Sequence, residues 1–110
     1  MPARLDTVPT TTHLTADQVE RLRRRLIGED TERQARAVEL GDSVDLEPDL
    51  ADVLLARNAD AMDEIKAALR RIDDGTYGLC ISCGKPVPFE RLEIVPAAGR
   101  CVSCAARDPR

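Results

Sequence analysis

Four cysteines, the only four in this 110-residue chain, stand in two Cys-x-x-Cys pairs, Cys80/Cys83 and Cys101/Cys104. Seventeen residues separate the pairs, and Gly84 follows the first. Two thiolates from each of two tight turns make a tetrahedral four-cysteine shell, which soft sulfur ligands offer to one zinc ion. Sulfur fills all four positions, so no place remains for a catalytic water and the ion is expected to be structural. Two disulfides or a redox pair are the competing uses of these residues. Residues 1–14 hold no apolar stretch of signal-peptide length, which points to a reducing compartment. A redox Cys-x-x-Cys belongs at a helix start in a βαβ setting that this pattern lacks. Zinc is the expectation, and a zinc tetrathiolate carries the formal charge of −4 two units further negative. The lone histidine, His13, then has no ligand role to fill.

A second group with possible chemistry is acidic. Residues 39–52 hold six carboxylates and neither Lys nor Arg. Asp49 and Asp52 suit the positive end of a helix dipole. Asp42, Asp45 and Glu47 lack that explanation, and such a group could approach a basic cleft or a bound divalent cation, with Mg²⁺ favoured by hard oxygen ligands. Basic residues gather once, at Arg21, Arg23, Arg24 and Arg25, and read as a solvated helix face.

Composition bounds the elements that must position these groups. One Phe, one Tyr and no Trp, against 33% charged residues, cannot fill a thick core but suit long helices burying a narrow stripe. No apolar run reaches the roughly 20 residues of a membrane span. The acidic balance argues against duplex DNA as the main partner. Residues 1–13 read as a flexible tail. Thr15 and Gln18 form a capping-box pattern with Leu14 and Val19 as a hydrophobic staple, so a first helix is expected from Ala16 to about Leu40, stopped by Gly41. Its apolar positions are Val19, Leu22, Leu26, Ile27, Val38 and Leu40, and Gly28 offers a place for a kink. A second helix opens on Pro48 at N1. Ala51, Leu54, Asn58, Ala61, Ile65, Ala68 and Ile72 then recur at spacings of three and four, a heptad seam with a polar residue that fixes register. A short link makes the two helices antiparallel neighbours, with the acids at the far tip, residues 41–48, and pairing of the seam between two chains is the alternative. The fold class expected is therefore mainly α: an antiparallel helical hairpin (coiled coil) over 14–74, then a small four-cysteine zinc-finger module over 75–110. Val87, Phe89, Leu92 and Ile94 are its candidate core, with Gly75, Gly78 and Gly84 at turns. Arg91 is expected to pair with the thiolate site or with Asp73/Asp74.

Gly75, Tyr77, Gly78, Cys80, Cys83 and Gly84, followed by Arg91-Leu92, Pro96, Ala98, Cys101 and Cys104, resemble the DksA/TraR C4-type zinc-finger proteins. The resemblance covers about residues 50–104, and the acidic-tipped hairpin before it is similar too. It implies a bacterial, cytoplasmic transcription regulator that binds RNA polymerase directly and needs no DNA site. The coiled coil would enter the secondary channel, and its tip would alter open-complex stability. The family tip reads Asp-x-x-Asp-x-Ala; Asp42 and Asp45 match its aspartates, Glu47 stands in place of the alanine, and Asp49-Leu-Ala51 matches the last half alone. The candidate site residues are thus Cys80, Cys83, Cys101 and Cys104 for zinc, and Asp42, Asp45, Glu47 and Asp49 at a partner-binding tip. The protein is expected to be a monomer and not an enzyme. The alternatives are an adaptor that binds a different protein and, less compatible with the charge, a nucleic-acid binder using Arg21–Arg25.

Overall fold

The computed structural model describes residues 13–42 and 45–107, and the tail expected over residues 1–13 lies, but for His13, outside them. Two helices of equal length, α1 (Ala16–Asp42) and α2 (Pro48–Asp74), pack against each other as the expected hairpin. Two one-and-a-half-turn helices follow, α3 (Phe89–Ile94) and α4 (Val102–Arg107). Among the described residues no strand forms; a single antiparallel bridge joins Leu79 to Pro86. No described helix is long and apolar enough to cross a membrane.

The start of α1 is built as its sequence requires. The Thr15 N–H donates to Gln18 Oε1 at 2.9 Å, and the Gln18 N–H donates to Thr15 Oγ1 at 3.1 Å. This reciprocal pair satisfies two backbone donors that the first turn would leave orphaned. Leu14 and Val19 are both buried beside it. At the other end the expectation fails: α1 runs through Gly41 to Asp42, and Gly41 does not adopt a left-handed conformation. Gly28 does not interrupt α1 either.

Pro48 begins α2, and Gly75 ends it at φ 82°, its N–H reaching the carbonyls of Arg71 and Ile72. A residue with a Cβ would be strained in that left-handed geometry, which is why the glycine marks the stop. The heptad seam is confirmed along α2: each of its seven residues is buried or half-buried. On α1 the partners are Val19, Leu22 and Leu26, whereas Ile27 and Val38 stand 47% and 64% exposed. Ile27 follows Leu26 by one residue, about 100° around the helix, and cannot share its face.

One core serves both parts of the chain. Val19, Leu22, Leu26, Ile65 and Ala68 from the hairpin join Tyr77, Cys80, Val87, Leu92 and Cys104 of the C-terminal module. Leu92 and Val87 are fully buried and Phe89 packs on the cluster, but Ile94 is 78% exposed at the end of α3. The module is therefore seated on the hairpin base, and the acidic link lies at the opposite end.

Candidate metal centre and acidic tip

The cysteine pairs sit on two short turns. After Gly78, the Cys80 N–H donates to the Lys85 carbonyl (2.8 Å), the Val87 N–H to the Gly78 carbonyl (2.7 Å) and the Gly84 N–H to the Cys80 carbonyl (2.9 Å). Gly78 and Gly84 both take positive φ, 92° and 77°, so the chain reverses around the first pair without strain. The second pair is carried by α4: Cys101 precedes it, and Cys104 faces inward from its first turn. The Ile81 N–H to Gly99 carbonyl bond (2.8 Å) ties the two turns together.

This folding brings the four sulfurs within 4.8 Å of one another. The Cys83 and Cys101 sulfurs are 3.8 Å apart and all four cysteines are free. A tetrahedron with Zn–S bonds of about 2.3 Å has S···S edges of about 3.8 Å, so the set is spaced for one metal ion and not for disulfides. Its electrostatics ask for a cation as well. The backbone N–H of Cys101, helped by those of Cys83 and Ser82, outweighs burial and holds the Cys80 thiol at about 5. The Cys104 N–H likewise lowers Cys101. At Cys104, Arg107 Nη2 donates to the sulfur at 3.4 Å and favours its thiolate, yet the other three sulfurs crowd it and push its thiol up to about 11. A dication removes that conflict by neutralising the sulfurs together. The cofactor that fits is one structural zinc ion.

Sequence reasoning missed the contacts that fix this module on the hairpin. Arg25, from the basic cluster, donates through Nη1 to the Glu93 carbonyl on α3 and pairs with Glu29 at 3.7 Å. Tyr77 is 2% exposed, and its hydroxyl donates to the Pro96 carbonyl at 2.8 Å. Burial raises the Tyr77 phenol to about 12. Arg91 donates through Nε to the Arg100 carbonyl at 3.1 Å, not to the thiolates or to Asp73/Asp74. These three side chains all donate to backbone carbonyls at the end of α3 and in the irregular segment that follows it, at Glu93, Pro96 and Arg100. Only the wide sequence separation hid them. Beside this segment lies a cleft lined by Arg57, Arg71, Arg91 and Arg100, with Asp60 and Glu64 opposite in charge. Arg71 Nη2 is buried there without a hydrogen-bond partner, and burial lowers the basicity of its guanidinium.

At the far end, Asp42 closes α1, Asp49 lies in the first turn of α2, and Asp45 and Glu47 fall in the link; all four are exposed. Ser43 and Val44 lie outside the described residues. The tip acids share one end of the rod and no basic residue accompanies them within 39–52.

Comparison with known proteins agrees with this geometry. Residues 75–110 match the prokaryotic dksA/traR C4-type zinc finger family. The chain is 44% identical over 45 residues to general stress protein 16O of Bacillus subtilis, covering 41% of this chain and 28% of that protein. It is 36% identical over 74 residues to the RNA polymerase-binding transcription factor DksA of Caulobacter vibrioides, covering 66% and 52%. These matches thus span no more than about half the length of the curated relatives. The solved structure of transcription factor DksA2 from Pseudomonas aeruginosa is similar over 86% of this chain and 85% of that one, with a TM-score of 0.66 and 30% identity.

Proposed function

This chain belongs to the DksA/TraR C4-type zinc-finger family, and we propose from that premise that it is a transcription regulator acting on RNA polymerase itself. In this reading the hairpin enters the secondary channel of the enzyme and carries Asp42, Asp45, Glu47 and Asp49 toward the catalytic region. The zinc module stays at the channel rim. The observation that carries the reading is the separation of roles along the rod. Folding energy is concentrated at the base, while the far end, about 40 Å away for a 27-residue helix, presents a group of exposed carboxylates with no basic residue among them.

Such a tip acts by charge. Uncompensated carboxylates on a rigid arm compete for, or reposition, cations and basic side chains in a confined channel, where a low dielectric strengthens each interaction. The zinc ion supplies folding energy rather than Lewis-acid chemistry, because cysteine sulfur fills its shell. Catalysis is accordingly not assigned to this chain, and neither is a DNA site. It is proposed to work as a monomer in the bacterial cytoplasm.

The test is a promoter assay with a bacterial RNA polymerase. Wild-type protein should change open-complex lifetime, and the Asp42→Asn/Asp45→Asn variant should bind the polymerase with that effect lost. A variant that regulates like wild type would remove the tip from the mechanism. Absence of binding by either protein would favour the adaptor reading.

A further inference from the structure

The two ends of the hairpin are fixed by different means, and one residue bears the distal end. In α1 beyond Leu26 and in α2 before Ile65, the only buried side chain among the described residues is Asn58, 3% exposed. Its amide is used from both sides. Nδ2 donates to the backbone carbonyl of Arg33 at 2.8 Å, and Oδ1 accepts from Arg33 Nη1 at 3.2 Å. Both bonds cross from α2 to the same residue of α1. Around them the apolar side chains are only half-buried, among them Ala37, Leu40, Ala51, Leu54, Ala61 and Met62, whose sulfur lies 3.8 Å from Nδ2. Half-exposed apolar residues discriminate weakly between neighbouring arrangements, because each keeps much of its surface in water in any of them. A buried amide does discriminate, since displacement by one turn leaves it dehydrated and unpaired.

We propose that Asn58 is the positioning residue of the hairpin: its paired bonds to Arg33 select one register for the distal half and so set the height of the acidic tip. The inference deepens the tip function proposed above and takes its importance from it. One turn of slip, admitted by a winding defect in either arm above the base, would displace the tip acids by about 5 Å relative to the base. Leu22, Leu26, Ile65 and Ala68 fix the register two turns below, and Asn58 holds the distal half to it where a bend or a change of winding would otherwise let the two arms depart.

The measurement is a distance distribution between spin labels on encoded non-cysteine residues replacing Glu39 and Asp52, which leaves the zinc thiols untouched. Both positions are exposed. Wild type should give one narrow distance. Asn58→Leu should stay helical and zinc-loaded, melt no lower, and yet give a broadened or two-membered distribution. Asn58→Ala should exchange amides of the distal half about tenfold faster, with those of residues 19–26 and 65–72 unchanged. A single unchanged distance in both variants would overturn the register role. In the promoter assay, scattered distances with normal regulation would remove the tip reading and leave the register inference standing. Unchanged distances with lost regulation would sink the register inference alone.

Discussion

The base and the distal half of the hairpin are made of the same two helices, yet they are held in opposite ways. At the base, Leu22 and Leu26 are at most 2% exposed and share a core with the zinc module. A leucine buried to that extent contributes about 1.5–3 kcal/mol. In the distal half Leu50 and Val53 are 47% exposed, Val38 is 64% exposed, and the buried group is an amide. Hydrophobic burial is strong but indifferent to direction; an amide pair adds little energy and much geometric choice. A hairpin whose far end buries so little apolar surface therefore gains its stability at one end and its geometric choice at the other.

Zinc removal breaks the comparison most severely. Chelation, or Cys80→Ser, should unfold residues 75–107, because metal binding supplies on the order of 10 kcal/mol to modules of this kind. Near-ultraviolet dichroism and amide exchange should show the base of the hairpin loosening with it, since Tyr77 and Leu92 lie in the shared core. Acidification should act in the same direction, as protonated thiols release the ion. Retention of the module's tertiary signals without metal would make the zinc dispensable.

Paired truncations sharpen the contrast at the next level. Leu26→Ala should cost about 2–5 kcal/mol in denaturant unfolding, as expected of a fully buried leucine. Leu54→Ala, at a half-buried distal position, should cost about 1 kcal/mol or less. Equal losses would show that the two halves are equally packed.

Tyr77 gives a pH-dependent readout of the base. Its phenol ionises near 12 in the folded protein against an ordinary value of 10, chiefly because burial disfavours the phenolate. The stability this confers is complete below pH 10 and is lost as pH rises from 10 to 12. The chain has one tyrosine and no tryptophan, so the ultraviolet absorbance change on phenolate formation reports this residue alone. Titration near the ordinary value in the folded protein would mean the hydroxyl is not held against the Pro96 carbonyl.

The smallest effect is expected at Gly28, near the border of the two halves. A Cβ there would meet nothing within 4 Å, and the helix passes through unbroken. Gly28→Ala should stabilise by about 0.5–1 kcal/mol in thermal or denaturant melts. A loss of stability would reveal a bend or contact that depends on the glycine.

Where local rules governed, the sequence was legible. The Thr15/Gln18 box, Pro48 at the start of α2, Gly75 at its end and the α2 seam are short-range features, and each is found where its pattern falls. Gly41 and Ile94 were misread for one reason. A glycine ends a helix, and an isoleucine enters a core, only where the tertiary surroundings favour it; Gly41 stays helical and Ile94 is 78% exposed. The zinc set could be named from spacing because two turns and four sulfurs carry their own geometry.

The sequence alone thus determined the four-cysteine set, the hairpin, the polar residue on its seam and the charge at its tip, since each follows from spacing along one element or from one residue type. Tertiary structure decided which face of α1 meets α2, that the module shares its core with the hairpin base, and that Arg25, Tyr77 and Arg91 all bind the carbonyls of segment 93–100. Those contacts join residues far apart in the chain. Periodicity and propensity are blind to them, because they depend on where the whole chain has already placed its unsatisfied carbonyls.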